Sequence, residues 1–239
     1  MRRLLSIVSA AVLMGVLVPA TSHAQQSLNL YIGGLVPNGY EARIDDFGYS
    51  NDVLVNNYDF LLYDIEEFHG VTGGAEYLVG LGQFFEGGLG VGIYHQTVPA
   101  IDNEFTHADG TPVVADLKLG IVPFTATVRW LPFGRSAGIV PYIGGGVGIL
   151  NWRYTEEGEF VDTSDPRNPV TFAAKYTGSG TAVGPVFLGG LRVPVGAFDV
   201  GGEVRYQKAE GDLPLDQDFS GSEIDLGGWT YMATFTIHF

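Results

Sequence analysis

The chain has 239 residues, with 27 Asp and Glu against 12 Lys and Arg, a formal net charge of -15, 35 glycines, 13% aromatic residues and no cysteine. The acidic balance argues against a nucleic-acid partner, since phosphate contacts would be repulsive. The missing cysteines exclude a disulfide scaffold, and the aromatic content speaks against disorder.

Residues 1-24 read as a secretory signal peptide. Met1, Arg2 and Arg3 give a positive start, Leu4 to Val18 are mostly apolar, and Pro19 precedes the small-residue site Ser22-His23-Ala24. The apolar run is shorter than the roughly 18 residues of a spanning helix. Cleavage after Ala24 is expected, leaving 25-239 as a single domain.

From there the chain reads at period two. Eight strands are expected at about 26-36, 70-82, 85-98, 114-131, 139-154, 180-195, 199-209 and 226-239. In the third, Leu89, Val91 and Ile93 share one face, opposite Glu86, Gly88, Gly90 and Gly92. In the sixth, Val183, Pro185, Phe187, Leu191 and Val193 oppose Ala182, Gly184, Gly190 and Arg192. In the last, Trp229, Tyr231, Ala233, Phe235, Ile237 and Phe239 oppose Thr230, Met232, Thr234, Thr236 and His238. Pro123 marks a change of phase in the fourth strand, from Leu117, Leu119 and Ile121 to Phe124, Ala126, Val128 and Trp130. This reads as a β-bulge, or as a misplaced strand boundary.

The connections alternate strictly between tight (82-84, 132-138, 196-198) and long (37-69, 99-113, 155-179, 210-225). Tight turns join antiparallel neighbours, so all of them fall at one end of the sheet. The expected fold is all-β: an eight-stranded antiparallel up-and-down transmembrane β-barrel with short periplasmic turns and long extracellular loops. A soluble barrel would alternate similarly but would turn its apolar faces inward. Here Glu76, Glu86, Arg129, Arg192, Glu203 and Arg205 share the Gly-, Thr- and Gln-rich faces, which must look into a polar lumen, while the opposite faces suit hydrocarbon. Trp130, Phe133, Phe198 and Phe239 are expected at the periplasmic rim, and Trp152, Tyr154 and Trp229 at the outer rim.

The C-terminal stretch Trp229, Tyr231, Phe235, Ile237 and Phe239 (WTYMATFTIHF over 229-239) looks like the strand signal by which the outer-membrane assembly machinery recognises barrels. With 139-152 (IVPYIGGGVGILNW) and 181-192 (TAVGPVFLGGLR), it resembles the small outer-membrane barrels of the OmpA, OmpX and OmpW types. The resemblance implies an outer-membrane location and lipid and assembly-machinery partners. Because the sequence ends at its last strand, the peptidoglycan-binding domain of the OmpA type is expected to be absent, and the resemblance leaves the activity open.

The interior charges are the first candidate site, expected to pair as Arg192 with Glu203 and Glu86 with Arg129, either as a structural polar core or as a gate. The glycines at 88, 90, 92, 144, 146 and 148 leave room for guanidinium groups, water or a small cavity. The strings GGLGVG at 87-92 and GGGVG at 144-148 lack the following helix of a dinucleotide loop and read as a repeated barrel motif. His69, His95, His107 and His238 have no spacing that supports catalysis. Loop 37-69, with acidic residues and Tyr40, Phe47, Tyr49, Tyr58, Phe60, Tyr63 and Phe68, is a candidate recognition surface. The acidic residues Glu210, Asp212, Asp216, Asp218, Glu223 and Asp225 lack EF-hand spacing and read as a solvated surface. The expectation is a monomeric, non-enzymatic display barrel with no cofactor and no bound metal. A narrow passive channel for small or apolar solutes is the alternative, followed by a lipid-modifying enzyme.

Overall fold

The computed structural model describes residues 26-165 and 167-239, so the expected signal peptide at 1-24 lies outside the described residues. Alternation of apolar with small or polar residues produces eight long strands: β1 (Gln26–Pro37), β2 (Gly70–Gly80), β3 (Phe85–Thr106), β4 (Pro112–Trp130), β5 (Val140–Asp162), β6 (Val170–Val195), β7 (Phe198–Gln207) and β8 (Gly228–His238). Each pairs antiparallel with the next. β1 closes the ring on β8, from Ser27 opposite His238 to Pro37 opposite Gly228. Where all eight strands overlap, closure leaves no sheet edge unpaired, which is how a β structure survives in lipid.

The connections 81-84, 131-139 and 196-197 gather at one end of the barrel, the turn end. Reversal between β6 and β7 takes only Gly196 and Ala197, and Gly196 sits at φ 69°, a left-handed conformation that favours glycine. At the loop end, the connection 38-69 carries a short helix, α1 (Val53–Asn56), and a two-residue strand, Leu61–Leu62, that adds to β3. The connection 208-227 contains a small ribbon, Glu210–Asp212 paired with Glu223–Asp225.

Two of the expected long loops are not loops. Residues 99-106 and 112-113 continue β3 and β4, and 155-162 with 170-179 continue β5 and β6, leaving short connections at 107-111 and 163-169. These four strands run to 22, 19, 23 and 26 residues, against 12, 11, 10 and 11 for β1, β2, β7 and β8. One half of the wall therefore stands much taller than the other.

The bulge expected at Pro123 is absent. Pairing of β4 with β5 runs unbroken from Ile121 opposite Trp152, through Pro123 opposite Leu150, to Thr125 opposite Gly148. Odd positions point inward along the whole strand: Val113, Ala115, Leu117, Leu119 and Ile121, then Thr125, Thr127 and Arg129, are all buried. The strand keeps its phase, and what changes is the chemistry of the space it faces.

Candidate functional site

The lumen is built in three layers. At the turn end Leu131, Val140, Tyr142 and Leu188 pack together, with Ala137 against them. Above them lies a layer of charge. At the loop end the inward residues Tyr94, Val98, Leu117, Leu119, Ile121, Leu150, Trp152 and Tyr154 form one apolar cluster with Val53, Leu54, Leu61, Ile65 and Phe68 of connection 38-69 and Leu213, Ile224 and Leu226 of connection 208-227.

The charged layer contains all six interior residues read from the sequence: Glu76, Glu86, Arg129, Arg192, Glu203 and Arg205 are each buried. They come from β2, β3, β4, β6 and β7 and converge because every one faces the axis. The pairing differs from the expected one. Glu203 stands opposite Gly190, and Arg192 opposite Gly201, so the two are two residues out of register across β6 and β7. Arg192 instead reaches Glu86 at 2.8 Å and Asp199 at 3.8 Å. Glu86 and Arg129 do face each other in register, yet Arg129 binds Glu76 and, at 2.8 Å, Glu203. Arg205 binds Glu203 at 2.7 Å and approaches Glu76 at 3.8 Å.

Two further groups complete the layer. Arg135, from the connection 131-139, lies 3.4 Å from Glu86. Asp199 also meets His238 at 2.9 Å. Four guanidinium groups thus meet four carboxylates, and the charge is matched within the lumen. Tyr142 ties the halves together: its ring lies 4.9 Å from the Arg129 guanidinium and 5.3 Å from that of Arg192, and its hydroxyl donates to Glu203 at 3.0 Å. Glycine makes this density possible. A Cβ at Gly88 would come within 2.6 Å of Glu76 Oε1 and 2.7 Å of Thr127 Oγ1. Asp199, Arg135 and Tyr142 were not singled out by the sequence reading; the inward parity of their strands was the available signal for Asp199 and Tyr142.

The apolar loop-end layer corrects the expectation of a polar lumen throughout and of a freely displayed loop 37-69. Asp52 caps α1 by accepting from the Leu54 amide at 2.8 Å, and it also accepts from Arg43 at 2.7 Å and from the Asp225 amide at 2.6 Å. That carboxyl joins the two connections, and burial pushes its pKa up against the pull of Arg43. Held this way, Val53 and Leu54 are fully buried, as is Phe68. Asn57 donates to Glu156 at 2.8 Å, and Ser220 Oγ donates to Asn57 Oδ1 at 2.5 Å, so the plug is also fastened to β5 and to connection 208-227. Trp152 and Tyr154, expected at an outer aromatic rim, point inward at 4% and 0% exposure because the plug offers them an apolar partner. Phe47 and Tyr49 stay at the surface, as does Leu215.

The outer surface is inverted relative to a water-soluble protein. Leu30, Ile32, Leu89, Val91, Ile93, Phe124, Val128, Ile143, Ile149, Val183, Phe187 and Leu191 are all exposed, a continuous belt far larger than a soluble surface carries. Above Ile93, Val122 and Ile149 the outward positions become His95, Lys118, Arg153 and Glu157. The belt fits the roughly 9–11 residues of a tilted membrane strand.

The architecture is that of a small membrane-spanning β-barrel of eight strands. No family model matches the chain, and no curated protein does. Among solved structures it is similar to the attachment invasion locus protein Ail of Yersinia pestis, in complex with the heparin analogue sucrose octasulfate, at 12% identity over 91% of this chain and 100% of that one, with a TM-score of 0.41. It is also similar to the N-terminal β-barrel domain of Pseudomonas aeruginosa OprF at 12% identity, with the same coverage and a TM-score of 0.38. Neisserial surface protein A shares 10% identity, again over 91% of this chain and 100% of that chain, with a TM-score of 0.45.

The remaining sequence candidates are dispersed. On β8, Trp229, Tyr231, Phe235 and Ile237 face outward, and Phe239 lies 6.4 Å from the Tyr77 ring. Phe133, Trp130 and Phe198 are exposed toward the turn end. His107 lies 2.9 Å from Glu159 in the tall wall, and His95 is on the outer surface. Among the described residues no group of His, Asp and Glu is arranged to hold a metal ion.

Proposed function

We propose that the protein is a sealed, non-enzymatic barrel of the bacterial outer membrane that holds a rigid acidic surface outside the cell. The observation that carries this reading is the filled lumen, with an apolar floor, a charge-matched middle and a plug of connection 38-69 packed to full burial at Leu54 and Phe68. A passage for solutes would need either a wet axis or a loosely held loop, and the plug is fastened at Asp52 and Asn57. In this reading residues 1-24 direct export and are removed, the assembly machinery recognises β8, and the barrel works as a monomer. The turn end faces the periplasm. The surface offered outside is the exposed Phe47, Tyr49 and Leu215 among carboxylates, a set that favours cationic or neutral partners over polyanions.

Reconstitution into planar bilayers tests it. The wild-type barrel should show no conductance steps, whereas a variant lacking residues 53-68 should. Regular steps from the intact protein would overturn the sealed reading. A change in outer-leaflet lipid mass on expression would overturn the non-enzymatic one.

A further inference from the structure

Basic side chains are scarce and their placement is uneven. Of the 12 Lys and Arg, Arg129, Arg192 and Arg205 are sealed in the lumen, Arg43 is buried under the plug, and Arg135 lies at the turn end. The described cations left on the outer surface beyond the apolar belt are Lys118, Arg153, Arg167, Lys175 and Lys208. Three of these, Lys118, Arg153 and Lys175, line one crevice of about 190 Å³ on the outside of the wall, together with His95, Gly120, Thr155 and Glu157.

Register explains the crevice. His95 on β3, Gly120 on β4 and Arg153 on β5 are neighbours in one outward row. Gly120 has no side chain, so a gap opens between the imidazole and the guanidinium. Lys118 lies in the next row up, and Glu157 opposite Lys175 in the row above that. Glu157 accepts from both lysines at 3.0 Å, and Asp116 lies 3.5 Å from Lys118. One carboxylate oxygen thus gathers two ammonium groups, each of which keeps N–H donors to spare. Among the described residues Arg153 has no ion-pair partner, and its guanidinium is open for bidentate contact. One row below lie Ile93 and Val122, where the hydrocarbon belt begins.

We propose that this crevice is an anion site that seats the phosphate of an outer-leaflet lipid headgroup over Gly120, between Arg153, His95, Lys118 and Lys175. Its height on the barrel selects the ligand: the floor borders the belt, so a phosphate carried on acyl chains reaches it with its chains along Ile93 and Val122. The proposal rests on the outer-membrane reading above. Hydrogen bonds from Lys175 and Lys118 hold the Glu157 carboxyl below its ordinary range, and Glu157 holds Lys118 above its own, so this carboxylate and this ammonium both stay ionised across neutral pH.

The test uses the full barrel refolded into phosphatidylcholine vesicles doped with diphosphorylated lipid A or with its dephosphorylated form. Vesicle flotation comes first, and a wild-type barrel that does not float with lipid sinks the membrane reading itself. Retained lipid A is then counted by mass spectrometry after detergent extraction. The triple variant Lys118→Gln, Arg153→Gln, Lys175→Gln should retain about tenfold less phosphorylated lipid. Gly120→Leu removes no charge, and a Cβ there meets only His95 Nδ1 and the Tyr94 carbonyl, at 3.4 and 4.0 Å, so it should fold, fill the floor and lower retention similarly. The pair Arg167→Gln and Lys208→Gln should leave retention unchanged. Equal retention by the wild type and both crevice variants overturns the proposal, as does equal retention of the phosphorylated and dephosphorylated lipids. Complete displacement by millimolar inorganic phosphate would make it a free-anion site and overturn the lipid assignment.

Discussion

Arg129→Met is the perturbation that most directly interrogates the lumen. Its guanidinium is fully buried and binds two carboxylates, Glu76 and Glu203. After the substitution Glu203 keeps Arg205 at 2.7 Å and the Tyr142 hydroxyl at 3.0 Å. Glu76 keeps only the Thr127 hydroxyl at 3.1 Å and a distant Arg205 at 3.8 Å, at 1% exposure. The cost therefore falls on Glu76. Removing one partner of a buried ion pair costs about 3–5 kcal/mol, because the other charge is left in a poor solvent. Neutralising that charge should relieve it, so Glu76→Gln added to Arg129→Met should recover at least about 2 kcal/mol, although Glu76→Gln alone destabilises. Reversible urea unfolding in lipid vesicles, followed by tryptophan fluorescence, gives all three values. If Arg129→Met costs less than about 1 kcal/mol, or if the double variant is simply additive, water reaches the layer and the dry, charge-matched lumen is refuted.

Other expectations follow from the plug and the wall. Phe68→Ala should cost about 3–5 kcal/mol of local stability and raise hydrogen exchange across 53-57, since Phe68 is fully buried against the plug; unchanged exchange would mean that the loop is held by its polar fastenings alone. Glu156 is buried in the loop-end layer with Asn57 and Tyr154 as partners, and burial raises its pKa above the ordinary 4.5. The native plug thus holds that proton more tightly than the unfolded chain does, so its stability should fall as pH rises from about 4.5 through the raised value. Exchange at 53-57 should accordingly be slower in acid than at neutral pH once intrinsic rates are divided out, and Glu156→Gln should make the profile shallower, leaving the part of the same sign that the raised Asp52 carboxyl contributes; a profile unaffected by that substitution assigns the dependence to Asp52 or elsewhere. Brominated lipid should quench Trp130 and Trp229, which face outward, and spare Trp152, which is 4% exposed; in single-tryptophan variants, quenching of Trp152 would place it on the wrong side of the wall.

The strand count, the tight turns and the inward set of charges were legible because membrane-crossing strands carry two different solvents on two faces, and period two records the difference. Legibility failed where that contrast fails. Beyond the belt both faces of β3 to β6 meet water or protein, so the extensions 99-106 and 155-162 look like loops in sequence. The interior is not uniform either: Leu117, Leu119 and Ile121 face a folded loop, whereas Thr125, Thr127 and Arg129 face charge. Read as one solvent, that change imitates a bulge at Pro123. Trp152 and Tyr154 were misplaced for the same reason, since an aromatic near a strand end suits a headgroup region and an apolar plug equally. The pairing of Arg192 with Glu86 rather than Glu203 joins strands that are not neighbours, and spacing along the chain does not encode it.

The unequal strand lengths give the exposed end a direction. At about 3.4 Å per residue, the taller strands lift a curved screen on one flank while the opposite flank stops near its base. Seen from the loop end, the protein resembles a bandshell: the folded loop is its stage, and the screen shields that stage from one bearing. The space above the folded loop is therefore open on the low flank and walled on the high one.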